Sequence, residues 1–405
     1  MKILMVCYGG AHVALVIPLY RELVSRDHEC VMIGLTTAGP VLEREGIVHK
    51  RVIDYVDMKN DNIQKYGREL LGKHHTDGIG ITEEESIAYL GISFAESVKT
   101  HGEQKARDMY NEHGLASFLP VEFMTSVLET EMPDVVLATD SPRMERAALN
   151  SAVNLGIPSV CSVVIFPHIG MHYLSRQDNG SIMCVCNSTI KEQLVDAGRS
   201  PESVIVTGNP SFEKLFSAPE NLRETVRSSR GLSDQSKLVL WADQPEPANP
   251  ELPRLIRSRL NEVCLSIKNC SLLVRLHPSS TDPAKEPIPE TAMLSPREEP
   301  LINALLAADI VVTCTSTVAY EALLLGKPVI ILQMSQYDKY VDYSEDVGAL
   351  VLNSTDKLKE GLEELISEKS PRAQKLKKNR IALAEESLGA CEKIVAIIES
   401  LSNKN

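Results

Sequence analysis

Residues Thr313 to Leu332 read TCTSTVAYEALLLGKPVIIL. Three hydroxyl residues, Thr315, Ser316 and Thr317, stand where an apolar run gives way to helical spacing. Glu321 follows one turn later, Gly326 and Pro328 close the helix, and Val329 to Leu332 is apolar again. This predicts strand, turn, helix, strand, with the hydroxyls at the helix N-terminus. A helix start carries free N–H groups and a partial positive charge, so it suits phosphate without Lys or Arg. The hydroxyls add donors, and a carboxylate at Glu321 suits both hydroxyls of a ribose. A nucleoside diphosphate satisfies the whole pattern. A plain N-cap at Ser316 or Thr317, with Glu321 on the surface, satisfies it locally.

The same alternation runs outward along the chain. It opens with KILMVC, the turn YGGAH, the helical VALVIPLYRELVSR and the strand ECVMIGL. Pro18 is either a kink in that helix or its true start. From 57 to 131 strand signal vanishes and helical spacing takes over, with Thr82 and Glu85 as a capping box. PDVVLAT, IPSVCSVVIF, SIMCVC and SVIVTGNP then resume the strands. After a polar stretch from Ser217 to Ser236, a second series runs through KLVLWAD, SLLVRLHP, DIVVTC, PVIIL and GALVLN. The expected class is α/β: two doubly wound, Rossmann-like domains facing each other across a cleft. The expected boundaries are 1–185 with a helical insertion at 57–131, a crossover and linker at 186–236, and a second domain at 237–385. A last helix, 386–405, is expected to pack back on the first domain.

Charge narrows the function. A net charge of −13 argues against a general nucleic-acid binder, which needs a positive excess. The one basic cluster, Lys369 to Arg380, reads as a solvated helix face, with peripheral membrane contact as the alternative. Nine Cys occur without a C-x-x-C pair, which fits buried free thiols in a reducing compartment and no zinc site. The N-terminus breaks too early for a signal peptide, so a cytoplasmic location is expected. Oligomeric state leaves no signature in the sequence.

Ligands of doubly wound domains bind outside the carboxyl ends of the strands. Four places in the second half qualify: WADQPEP; RLHPSS with His277; the hydroxyl segment, whose neighbouring strand end is taken to be that of His277; and LQMSQ. In the first half, Gly9 and Gly10 permit a tight turn before His12, which is either a general base or a helix-capping residue. Asp140 and Arg143 follow another strand. Asp140 either orients His12 or is itself the base. Arg143 either binds an acceptor phosphate or carboxylate or, like Glu145, is an ordinary first-turn charge. The paired His74 and His75 lack a third ligand at metal-binding spacing.

The chain resembles nucleotide-sugar enzymes of the GT-B fold. TSTVAYEALLLGKPVIIL looks like the donor-binding segment of bacterial glycosyltransferases and of UDP-N-acetylglucosamine 2-epimerases. VCNSTIKEQLVDAGRSPESVIVTGNPSFEKL is similar to the stretch with which those proteins leave their first domain. Leu276–His277–Pro278 resembles the His-Pro motif of capsule and sialic-acid transferases, and LGACEKIVAIIESL looks like the closing helix. The resemblance covers the chain from Pro133 onward and its first forty residues. It implies that Glu321 holds the donor ribose and that Thr315, Ser316, Thr317 and His277 hold the pyrophosphate. It places Gln333 and Gln336 near the sugar and His12 at the base position.

Three functions follow for weighing. The first is a metal-independent glycosyltransferase of bacterial glycan synthesis, using a UDP-sugar co-substrate and no cofactor. Its acceptor would be a glycan, a lipid-linked or a small molecule, held by the 57–131 insertion. The second is a nucleotide-sugar 2-epimerase or hydrolase. Against it, WADQPEP lacks the His and Arg cluster, and TSTVAYEA the double-Gly, double-acid signature, of those epimerases. The third is a binding protein without catalysis. The transferase is the expectation. It needs no metal because the hydroxyl segment and His277 would stabilise the leaving diphosphate, and no Asp-x-Asp occurs.

Overall fold

The computed structural model describes residues 1–76, 78–280 and 286–402. The chain forms two compact units, residues 1–211 with 389–405, and residues 212–388.

The first unit holds strands β1 (Lys2–Cys7), β2 (Glu29–Gly34), β3 (Val135–Thr139), β4 (Ser159–Ser162), β5 (Ile182–Val185) and β6 (Val204–Val206). They form one sheet in the order β2-β1-β3-β4-β5-β6, all neighbours parallel. Both faces are covered, which is why β1 and β3 read as unbroken apolar runs. The helix Ala11–Ser25 packs on one face and carries Pro18 in its interior, so Pro18 does not mark its start. The last helix, Ala390–Ser402, puts Ile394, Val395 and Ile398 into the same core as Ile3, Met5 and Leu19. Residues 403–405 of the expected final helix lie outside the described residues.

The insertion is helical, with helices at Asp61–His74, Glu83–His101, Glu103–His113 and Val121–Glu131. The capping box forms only in half. Thr82 accepts the Glu85 amide, but the Glu85 carboxylate turns away to accept the amides of Val52 and Ile53 at 3.1 and 3.0 Å.

The second unit holds β7 (Lys237–Ala242), β8 (Cys270–Arg275), β9 (Met293–Leu294), β10 (Ile310–Thr313), β11 (Val329–Leu332) and β12 (Ala349–Leu352). Their order is β12-β11-β10-β7-β8-β9, again parallel. The units divide at 211/212, where the sequence suggested a separate segment over 186–236. The reason lies in two sets of contacts. β6 pairs with β5, which keeps that part in the first sheet. Arg223 and Arg227 grip Asp309 at 2.8 and 3.1 Å, while Asp309 also accepts the Leu238 amide, which ties the remainder to the second.

The basic cluster lies on a helix whose Arg372, Lys375, Lys377 and Lys378 are exposed, the solvated face expected, while Arg380 is buried. Arg372 pairs with Glu345, and Lys377 and Arg380 pair with Glu368, in or beside the helix Pro371–Ser387. All nine thiols are free, and eight are buried. Among the described residues no helix is long and apolar enough to cross a membrane.

Candidate active site

Each sheet reverses its strand order once; His12, Asp140 and the hydroxyl segment lie at those two points, and His277, Gln333 and Gln336 at neighbouring strand ends. In the first sheet the reversal lies between β1 and β3. The loop leaving β1 needs both of its glycines. A Cβ on Gly9 would stand 2.0 Å from Thr37 Oγ1, and Gly10 has φ +67°. This tight passage sets His12 in the first turn of the helix.

His12 Nδ1 lies 2.5 Å from Thr139 Oγ1 at the end of β3. That hydroxyl donates to Glu145 Oε2. With its hydroxyl hydrogen engaged in the bond to Glu145, Thr139 accepts from His12, so the imidazole carries its hydrogen on Nδ1. Nε2 is left as a proton acceptor. Glu145 is fully buried and also accepts the Tyr8 amide at 2.6 Å and the Ser141 amide at 3.1 Å. It is therefore no ordinary first-turn charge.

Asp140 does not hydrogen-bond His12. Its Oδ1 stands 3.8 Å from Nδ1 and accepts the Val164 amide at 3.2 Å. The orienting contact expected of Asp140 belongs to Thr139, backed by Glu145. Burial pushes the Asp140 carboxyl up to about 6, His12 opposing and Glu145 adding to the shift.

Arg143 lies on the far side of Tyr8, its guanidinium 4.2 Å from the ring centroid and 3.3 Å from the Tyr89 hydroxyl. No carboxylate reaches it within 4.0 Å among the described residues. The Tyr8 and Tyr89 hydroxyls bond each other at 2.8 Å. His74 and His75 serve structure: His74 Nε2 meets Tyr110 Oη at 2.6 Å, and His75 Nδ1 meets Ser86 Oγ at 2.8 Å.

In the second sheet the reversal lies between β7 and β10. The helix after β10, Val318–Leu324, has only seven residues, so little dipole accumulates along it. What remains is local chemistry. The Thr317 side chain makes no capping bond, and Ser316 Oγ accepts the Val318 amide at 3.3 Å. The Ser316 and Thr317 amides have no hydrogen-bond partner among the described residues. Tyr343 donates to the Ser316 carbonyl at 2.7 Å, which fixes the turn.

Glu321 is half-buried, and its carboxylate has no hydrogen-bond or ion-pair partner among the described residues. Burial raises its pKa, with Lys214 opposing. An unpaired carboxylate in such a place is costly unless a ligand donates to it.

Thr315 is held by a residue the sequence did not single out. Gln244, beyond the end of β7, accepts the Thr315 amide at 2.8 Å and donates to its hydroxyl at 2.8 Å. Gln244 also donates to Glu246 at 3.0 Å, and Asp243, Gln244 and Glu246 are all buried. Burial pushes Asp243 up to about 6, with Arg257 opposing. The loop is thus acidic where a His and Arg cluster would mark an epimerase by resemblance.

His277 is not at the strand end next to the hydroxyl segment, because β7 intervenes between β8 and β10. Two strand spacings, roughly 10 Å, separate those strands. His277 Nδ1 accepts the Ser279 amide at 3.1 Å, so its hydrogen sits on Nε2 and is available to donate. Gln333 and Gln336 follow β11, which neighbours β10, and both are exposed. Among the described residues no three His, Cys, Asp or Glu side chains form a metal-holding group.

Solved structures of nucleotide-sugar enzymes share this architecture. A UDP-GlcNAc 2-epimerase from Neisseria meningitidis, bound to UDP-GlcNAc, is 17% identical with a TM-score of 0.60 over 100% of both chains. A glycosyltransferase from Streptomyces nogalater is 15% identical with a TM-score of 0.59 over 99% of this chain and 100% of that one. A glycosyltransferase from Rickettsia africae is 11% identical with a TM-score of 0.56 over 100% and 99%. At such identities the likeness shows the fold, the two-domain α/β architecture of GT-B type. No curated protein sequence matches the chain. The family profile described as UDP-N-acetylglucosamine 2-epimerase matches residues 177–399, from the end of the first sheet through Glu321 to the closing helix. That is more than half of the chain, and the protein belongs to the UDP-N-acetylglucosamine 2-epimerase family.

Proposed function

We propose that the protein is a UDP-sugar glycosyltransferase in which the first unit supplies the base and the second holds the nucleotide. The observation that carries this reading is the His12–Thr139–Glu145 relay, which leaves Nε2 of His12 as a proton acceptor. In the proposed step Nε2 takes the proton of an acceptor hydroxyl, its oxygen bonds to the anomeric carbon, and the bond from that carbon to the diphosphate breaks. The amides and hydroxyls of Ser316 and Thr317, with His277 Nε2–H, would receive the charge on the departing diphosphate. Glu321 would accept the ribose hydroxyls, with Gln333 and Gln336 toward the sugar. On this account turnover survives EDTA.

A second reading, epimerisation or hydrolysis of the UDP-sugar itself, is favoured by the family match over 177–399. The buried acids Asp243 and Glu246 speak against epimerisation, since they occupy the loop in which the resemblance places cationic residues. Incubation with a panel of UDP-sugars, with and without hydroxyl acceptors, separates the two. The transferase releases UDP only when an acceptor is present, and His12→Ala lowers that rate about 10²–10⁴-fold. Conversion of UDP-N-acetylglucosamine to its 2-epimer without an acceptor would replace the transferase reading with the epimerase.

A further inference from the structure

The helical insertion and the loop after β2 enclose a cavity of about 170 Å³. Ile79, Ile81, Leu90 and Leu115 give it apolar walls, and Tyr89 and Arg143 are also in its lining. All of its lining residues lie between 36 and 143, outside the segment 177–399 that matches the family.

Arg143 is the unusual member. It is partly buried against the Tyr8 ring, yet no carboxylate pairs with it among the described residues. A guanidinium in apolar surroundings is recovered by an anion that offers two oxygens to its fork. Its surroundings also limit the charge of that anion. Glu85, buried and lining the same cavity, accepts two backbone amides, and burial pushes its carboxyl up to about 7. His74 also lines the cavity, but burial and the neighbouring Lys73 and Arg143 lower its pKa and so favour its neutral form, leaving a dianion to meet one cation and a carboxyl that ionises near neutrality, whereas a monoanion needs only the cation. A cavity of about 170 Å³ is many times the minimum needed to admit one water and has room for a small organic anion.

We infer that this cavity binds a monocarboxylate with a compact apolar body, the carboxylate on Arg143 and the body against Ile79, Ile81, Leu90 and Leu115. The inference rests on the transferase reading and deepens it: the acceptor held by the first unit would be a monocarboxylate that also carries a hydroxyl, the group that gives its proton to His12. The arrangement ties the acceptor to the base through shared residues. Tyr8 carries Arg143 on its ring, and its amide is held by Glu145, the carboxylate behind His12.

Calorimetry on the full chain tests this with three probes of matched size: phenylacetate, phenylacetamide and phenyl phosphate. Phenylacetate should bind one per chain and at least about tenfold tighter than its neutral amide. Arg143→Gln should abolish that preference. Ile79→Trp, in an exposed turn at the rim, should block all three probes, and a parent-like melting temperature would show that each variant is folded. Failure of phenylacetate to bind the parent, equal binding of acid and amide, or binding unchanged in Arg143→Gln would overturn the assignment. Tighter binding of phenyl phosphate would overturn the choice of carboxylate. UDP titrated into the same samples reads the other half of the account. UDP binding without phenylacetate binding sinks the cavity inference alone, and the reverse sinks the transferase reading alone.

Discussion

The two strand-order reversals are built alike and furnished differently. At the first, the polar groups behind His12 are used up within the protein and only its Nε2 stays open: Glu145 takes two amides and the Thr139 hydroxyl, and Thr139 takes His12 Nδ1. At the second, Gln244 secures Thr315, but the Ser316 and Thr317 amides and the Glu321 carboxylate are left open. A satisfied network holds one side chain in one protonation geometry. A set of open donors and acceptors is suited to a ligand that completes it. The difference suits the proposed division, with proton transfer at the first point and nucleotide binding at the second.

Removing the anchor of the first network should have the largest effect on folding. Glu145→Ala leaves three buried donors without an acceptor, at about 1–3 kcal/mol each, so denaturant unfolding should show a loss of roughly 3 kcal/mol or more. A loss below about 1 kcal/mol would mean that the network is not what orders this site.

Asp140 offers a pH test of the same region. Its folded pKa, about 6, lies above the ordinary 3.8. A raised carboxyl favours folding most when protonated, so its contribution is full below about 4 and is lost as pH rises through about 6. Asp140→Asn removes that dependence. The stability of the variant relative to the parent should climb by about 1–3 kcal/mol between pH 4 and 7. A difference that stays flat across that range would contradict burial as the cause of the shift.

At the second point the smaller change is Gln244→Ala, which frees the Thr315 amide and hydroxyl. Net loss of a neutral hydrogen bond is worth about 1 kcal/mol, so UDP affinity should fall about fivefold. Unchanged affinity would make Gln244 a brace for the loop alone.

Much of this was legible in the sequence. Unbroken apolar runs marked the parallel strands, Gly9 and Gly10 marked the loop before His12, and the spacing from Thr315 to Glu321 marked the second point. What escaped reading depends on which strands lie side by side. Glu145 looks like a first-turn acid until β3 is seen beside β1, which brings Tyr8 to it from 137 positions away. Gln244 reaches Thr315 across 71 positions because β7 lies beside β10. The same strand order moved His277 one strand farther off than its motif suggested. The division at 211/212 falls inside the crossover segment expected at 186–236, and its place within that segment is set by the pairing of β6 and the ion pairs of Arg223 and Arg227, long-range contacts with no local pattern.

The most direct test of this division is a calorimetric titration of UDP into the parent, Glu321→Ala and His12→Ala. Loss of charge-assisted hydrogen bonds to ribose should weaken UDP binding to Glu321→Ala by about 1–3 kcal/mol, roughly five- to 150-fold. His12→Ala should bind UDP like the parent. Equal weakening in both variants, or parent-like affinity in Glu321→Ala, would contradict the assignment of nucleotide binding to the second point and chemistry to the first.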